Sequence, residues 1–253
     1  MVKKYLSRIN YVGEAKPDCE TLKKLQRSHL LTVPYENLDI IRNVPLRLDP
    51  AGIYEKIVEN GRGGYCFELN GLFAWLLKSI GYEVTDYMAR FLRDETAIPM
   101  RRHRVLRVGC EGSDYLCDVG VGGVIPRSPL RLIDGNEETQ GDERYKIECE
   151  PFFGRVLYEW KEYGWRRLYS FTEEEQLDID YVMPSYYCEN NPDSFFRTRD
   201  MVHIFTENGR KSVSGREFRI FTREGCEVIE PQTEDEYRML LKKHFGIKIG
   251  PVS

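Results

Sequence analysis

The sequence predicts an α+β protein with helices first, strands second and a mixed region last. Three observations carry this. Apolar residues recur with a helical period through the first ~85 residues, the period changes to two from about residue 82, and one more helix pattern follows the final strands.

The helical elements declare their ends. "DCETLKKLQRSHLLTV" opens on Asp18 as an N-cap, sets Leu22, Leu25, His29 and Leu30 near a 3.6 period, and is stopped by Pro34. "DPAGIYEKIVENGRG" repeats the pattern, with Asp49 as cap, Pro50 at the first helical position and a stop at Gly61. A third helix starts at or near Cys66, carries Leu69, Leu72, Phe73, Leu76, Leu77 and Ile80, and stops at Gly81.

Short strands follow in "YEVTDYMARFL", "HRVLRVGC", "DYLCDVGV", "RYKIECE", "RVLYEW" and "WRRLYSF", with turns at "CEGSD", "DGNEE" and "KEYGW". An antiparallel sheet or barrel accommodates them. The stretch from about 174 reads as helix or irregular crossing. Three or four strands in "MVHIFTENGRKSVSGREFRIFT" then lead to the helix "TEDEYRMLLKKHFGI", with Thr233 as cap and Glu236 completing a capping box.

The totals exclude several function classes. With 37 Lys plus Arg against 41 Asp plus Glu, the net charge of −4 offers no nucleic-acid surface or membrane-binding patch. No apolar run approaches the ~18 residues of a spanning helix, and the N-terminus has no signal-like apolar segment. The seven cysteines are scattered without a Cys-x-x-Cys pair, so no metal site is expected. Free thiols in a reduced, cytoplasmic protein are the simplest reading.

Chemistry is sought first at Cys66. Gly63 and Gly64 precede it and a helix starts on it, where free N–H groups and the helix dipole favour a thiolate. The competing reading is a small buried hydrophobe. A nucleophile requires a base, and four histidines are available. His29, His203 and His244 read as structural, whereas His103 opens a strand after the loop "DETAIPMRR". If residues 103–109 and 115–120 form a hairpin turning near Glu111, residue 103 lies opposite about 120 and Asp118 comes within a diagonal cross-strand pair of His103. Glycines 120, 122 and 123 leave room for a ligand to approach the backbone. The order Cys, His, Asp leaves acyl transfer, peptide hydrolysis and transglutamination open.

These residues resemble the arylamine N-acetyltransferases. "RGGYCFELN" at 62–70 is similar to that family's nucleophile motif, and "HRVLRV" and "DVGVGG" to its His and Asp segments. "HLLTVPYENLDI", the run from "YSFTEEEQ" to "DSFF" and the closing "YRMLLKKHFGI" extend the likeness over nearly the whole chain. The resemblance implies a helical domain over 1–85, a β-barrel domain over 86–185 and an α/β lid over 186–253. It also implies a cysteine-protease-like triad of Cys66, His103 and Asp118, with no bound cofactor and acetyl-CoA as cosubstrate. Cys66 would carry the acetyl group as a thioester to an arylamine, arylhydroxylamine or hydrazine in a ping-pong reaction.

Further roles follow from the same resemblance. Tyr35, Phe91 and Val121 would line the acceptor pocket, with Gly122 and Gly123 bordering the CoA arm. Arg62 and Glu36 would form an ion pair tying the nucleophile loop down. Val121 stands where the family often has Phe and Tyr35 where it usually has Phe, which should widen the pocket and add a hydroxyl. Arg101 and Arg102 are expected as solvated surface residues rather than phosphate ligands. The rival readings are a thiol-dependent amide or thioester hydrolase, and a silent binding relative. Partners are expected to be small molecules only, and the chain a monomer or homodimer.

Overall fold

A computed structural model describes residues 1–162 and 164–250. Tyr163, within the expected turn "KEYGW", and residues 251–253 of the expected lid lie outside them.

Helix α1 (Val2–Arg8) precedes the longer α2 (Cys19–Thr32). Asp18 caps α2 by accepting from Thr21 N at 2.8 Å. The two-residue strand β1 (Tyr35–Glu36), α3 (Leu38–Ile41) and α4 (Pro50–Tyr54) follow, and α4 continues into a π-helical turn at Glu55–Glu59. Asp49 caps α4 through Gly52 N at 2.9 Å. Helix α5 (Cys66–Ile80) is stopped by Gly81, whose φ of 112° places it in the left-handed region open to glycine.

Eight antiparallel strands make the barrel: β2 (Glu83–Phe91), β3 (His103–Cys110), β4 (Ser113–Cys117), β5 (Leu130–Arg131), β6 (Asn136–Gln140), β7 (Glu143–Glu150), β8 (Gly154–Lys161) and β9 (Gly164–Phe171), in the order β5-β4-β3-β2-β9-β8-β7-β6. The outer strands β5 and β6 are joined by side chains rather than by a backbone ladder. Gln140 accepts from Ser128 N at 2.9 Å and donates to Ser128 O at 3.0 Å, while Glu138 accepts from Arg131 N at 2.9 Å. These bonds satisfy edge groups that would otherwise be left open. The expected turn "DGNEE" is therefore shorter than the motif suggested, because its polar second half is the start of β6.

A chain crossing through α6 (Val182–Asn190), flanked by 3₁₀ turns, leads to strands β10 (Met201–Thr206), β11 (Gly209–Ser214), β12 (Glu217–Thr222) and β13 (Gly225–Ile229), and to α7 (Glu234–Phe245). The second sheet runs β1-β10-β11-β12-β13, so a strand from the helical region begins it. Thr233 caps α7, accepting from Glu236 N at 3.2 Å. Glu236 reaches back to Gln232 N at 2.7 Å, one residue before the cap nitrogen that a capping box predicts.

One apolar core runs without a break from Leu22, Leu25, Phe67 and Phe73 of the helices to Val105, Leu106, Ile147 and Leu157 of the barrel. A smaller core joins Leu38 to Val202, Phe218, Tyr237 and Leu241. Asn37 fastens the two regions: its amide donates to Phe196 O and Arg199 O at 2.8 and 2.9 Å, and accepts from Met201 N at 2.7 Å.

Candidate active site

The hairpin β3–β4 sets two of the candidate side chains. Glu111 and Gly112 both have positive φ (49° and 73°), the backbone of a two-residue type I′ turn. Cys110 then pairs with Ser113 and Leu106 with Cys117, a register that continues to His103 opposite Gly120. Asp118 lies just past the ladder, and His103 Nε2 donates to its Oδ2 at 2.7 Å. That bond assigns the ring proton to Nε2 and leaves the Nδ1 lone pair for another partner. The imidazole is buried, with ring centroids 5.0 Å from Phe91 and 5.3 Å from Tyr169.

The other Asp118 oxygen is also occupied. Oδ1 accepts from Gly120 N and from Asn70 Nδ2, both at 2.8 Å. Asn70 additionally donates to Arg104 O at 2.6 Å and accepts from Val119 N at 2.9 Å. A buried amide thus satisfies three neighbours and joins α5 to the hairpin. Sequence reasoning missed it, although a readable signal existed: a polar residue four places after Cys66 shares its helix face.

Cys66 is the first residue of α5, and its Sγ–H contacts Arg102 O at 3.6 Å. Cys66 and His103 open on a common cavity of about 550 Å³. Tyr35, Phe91, Val121, Gly122 and Gly123 line it, and Phe195, Phe196 and Met201 complete it from the far end of the chain. Burial pushes the Cys66 thiol well above its usual range; nearby Cys188 and the Asp118 carboxylate push the same way, against backbone hydrogen bonds from Arg104 and Phe67. The helix terminus alone, on which the sequence expectation of a thiolate rested, does not offset this burial. A negative sulfur here has to form together with transfer of its proton to a neighbour.

The glycines act differently from the expectation. A Cβ at Gly63 would stand 2.0 Å from Pro34 O, and Gly64 pairs with Tyr35 while its carbonyl accepts from Glu36 N at 2.8 Å. Gly63 therefore makes room for the Pro34 backbone. At Gly120 a Cβ would meet Asn70 Nδ2 at 2.6 Å and Cys66 Cα at 2.8 Å, and at Gly122 the Tyr35 ring at 2.6 Å. At both positions the room for a side chain is taken by the protein itself, while the backbone still borders the cavity.

Arg62 grips Glu36 through Nε and Nη2 at 2.9 and 3.1 Å, and Asp39 through Nη2 at 2.7 Å. Lys56 bridges Asp39 and Glu68 at 2.8 Å each, and Glu68 in turn accepts from Tyr65 N at 3.0 Å. This network faces a separate groove of about 910 Å³ rather than the cavity of Cys66. Arg102 corrects the expectation of a solvated residue: its side chain is only 20% exposed, lines the Cys66 cavity and holds its guanidinium 5.6 Å from the Phe196 ring centroid. Arg101 does stay partly exposed, 3.4 Å from Glu174.

Comparison with known proteins places this arrangement. The sequence model of the N-acetyltransferase family matches residues 18–252. The arylamine N-acetyltransferase of Mycobacterium tuberculosis is 35% identical over 254 residues, covering 98% of this chain and 89% of the relative. The chain belongs to the arylamine N-acetyltransferase family. An arylamine N-acetyltransferase / N-hydroxyarylamine O-acetyltransferase from Salmonella typhimurium is 30% identical, covering 98% of this chain and 89% of its own length. Among solved structures of arylamine N-acetyltransferases, that from Salmonella typhimurium superposes with a TM-score of 0.93 at 28% identity, covering 100% of this chain and 93% of its own. The Mycobacterium marinum enzyme in complex with CoA gives 0.90 at 32% identity, covering 98% and 93%. The α+β architecture of helices, antiparallel barrel and mixed end is thus that of the family.

Proposed function

We propose that this arylamine N-acetyltransferase moves an acetyl group from acetyl-CoA to the nitrogen of an arylamine, arylhydroxylamine or hydrazine through a thioester on Cys66. Acetyl-CoA is the cosubstrate, in keeping with the CoA complex of the Mycobacterium marinum relative. The observation that carries the residue assignment is the 2.7 Å bond from His103 Nε2 to Asp118, with Cys66 and the free Nδ1 side of the site opening on one cavity.

In the first half-reaction, Cys66 Sγ attacks the acetyl carbonyl as His103 Nδ1 takes the thiol proton. The C–S bond to CoA breaks, and the imidazolium returns that proton to the departing CoA thiolate. In the second half, the amine attacks the Cys66 thioester, His103 takes a proton from nitrogen, and the same proton restores the Cys66 thiol. Asp118 holds the imidazole in the required tautomer and faces the positive ring that forms in each half. Because the thiol is buried, coupling its charge to imidazolium formation keeps the triad from carrying an unpaired buried anion.

Phe91, Tyr35, Phe195 and Phe196 offer ring edges and faces to an aryl acceptor, while Arg62 and Glu36 act behind the site as an anchor for the nucleophile loop. Among the described residues no helix is long and apolar enough to cross a membrane, and the free thiols suit a cytoplasmic setting.

Intact mass after mixing with acetyl-CoA tests the assignment. One acetyl group is expected on the unaltered protein and none on Cys66→Ala; an adduct on both, or on neither, defeats it. Acetyl-CoA alone should release about one equivalent of CoA in a burst, whereas continued release would mark a hydrolase.

A further inference from the structure

Far from the acetyl-transfer site, two thiols from different layers meet. Cys19 is the first residue of α2 and is partly exposed; Cys110 is the last residue of β3 and is buried. Their sulfurs lie 3.0 Å apart, within about 1 Å of disulfide bonding distance. Tyr115 Oη stands 3.5 Å from Cys19 Sγ, and a Glu111 carboxylate oxygen lies within 4.8 Å of both sulfurs. A surface groove of about 550 Å³ reaches Cys110 and Glu111, beside the partly exposed Cys19.

We propose that Cys19 and Cys110 are a modification site for small-molecule disulfides, closing reversibly into an intramolecular disulfide. With oxidised glutathione as oxidant, the Cys19 thiolate attacks one glutathione sulfur and expels the other as a thiolate, which takes up the Cys19 proton. Cys110 then attacks the Cys19 sulfur of the mixed disulfide and releases the second glutathione. Two thiols lose two electrons and two protons, and one glutathione disulfide becomes two glutathione thiols. The Cys110 proton ends on the glutathione thiolate that leaves. Burial and the contact with Cys19 push the Cys110 thiol up to about 12 in the reduced pair, so Cys19 is the thiol that engages the oxidant first.

The bond would pin the helical layer to the turn of the hairpin whose other end carries His103, roughly 23 Å along β3 at about 3.3 Å per residue. It would also close a chain segment of 91 residues, and long closures restrict the unfolded chain most.

The test incubates reduced, metal-free full-length protein with oxidised glutathione, quenches with an alkylating reagent, and reads intact mass, disulfide-linked peptides and the thermal midpoint. The expected product has lost two hydrogens, links the Cys19 peptide to the Cys110 peptide, melts on the order of 10 °C higher, and reverts with dithiothreitol. Cys19→Ser, a change at a partly exposed helix start, should melt like the reduced protein and gain nothing from the oxidant. Mixed glutathione adducts without the link, a link between other cysteines, or equal oxidation of Cys19→Ser would overturn the proposal. So would a zinc ion retained by the reduced protein, lost in Cys19→Ser, and blocking oxidation.

Discussion

Asn70 Nδ2 sits 2.8 Å from Asp118 Oδ1, so the helix that begins with Cys66 directly holds the carboxylate that orients His103. The proposed nucleophile and the proposed orienter are thereby fixed to one rigid element, one helical turn apart.

Replacing Asn70 by Ala removes that hold and leaves Val119 N–H and Arg104 C=O without their buried partner. A loss of about 1–3 kcal/mol in stability is expected, with acetylation of Cys66 slowed by up to about 100-fold. Denaturant midpoints and single-turnover acetylation measure the two effects. Acetylation at the normal rate would show that Asp118 keeps its position without Asn70.

Gly120→Ala and Gly123→Ala form a contrasted pair. At 120 the new methyl meets the Cys66 backbone at 2.8 Å, and neither partner can yield without separating α5 from the hairpin. At 123 the nearest atom is Arg93 Nη1 at 3.2 Å, a side-chain tip that has to give by only a few tenths of an ångström. The first variant should lose about 1–3 kcal/mol, as overpacked cores do, and most of its activity. The second should stay close to the original in both melting and rate, and equal damage from the two would refute the steric account.

His103→Gln separates the two influences on the thiol. Burial, then Cys188 and Asp118, push the Cys66 thiol up, so without a proton acceptor it should stay protonated near neutral pH. Iodoacetamide labelling of Cys66 in the variant should fall to the level of an inert buried thiol at pH 7 and recover only in strong base. Unchanged labelling at pH 7 would mean that another group ionises the sulfur.

Two buried histidines outside the site set an acid limit. Burial lowers His29 and His203 to about 3 from the ordinary 6.5. The unfolded chain then binds more protons than the folded one between those values, so stability is fully present above about pH 6.5 and is lost as pH falls toward 3. Each histidine contributes up to about 1.4 kcal/mol per pH unit inside that window. His29 also accepts from Tyr5 Oη at 2.9 Å through Nδ1. His29→Leu should be less stable at pH 7 yet show a shallower decline from pH 6 to 4.5 in denaturant midpoints; parallel curves would contradict the buried neutral state.

Elements with strong local signals were legible: capped helices, the stop at Gly81, and a hairpin register that follows from the turn at Glu111 and Gly112. Helix α1 was not, because Val2–Arg8 is short and is held by contacts such as Tyr5 with His29, not by its own pattern. Strand β5 is two residues long, and its link to β6 depends on Gln140 and Glu138 side chains, which no alternation reveals. In the site, residue type disclosed the candidate thiol, imidazole and carboxylate. It did not disclose who fills the space beside a glycine: Pro34, Cys66 and Tyr35 do, and only the folded chain says so. Arg102 was misread for the same reason, since Phe196 lies far away in sequence and turns an apparent surface residue into a cavity wall.

The pairing of Tyr35 with His203 carries a temporal consequence. Gly64, just ahead of Cys66, leans on Tyr35, and Tyr35 is flanked on its other side by a strand from near the end of the chain. At synthesis rates of about 5–20 residues per second, roughly ten to thirty seconds separate the emergence of these two halves from the ribosome. Through that interval the proposed nucleophile belongs to an unfinished scaffold, and its surroundings are complete only once β10 has been made.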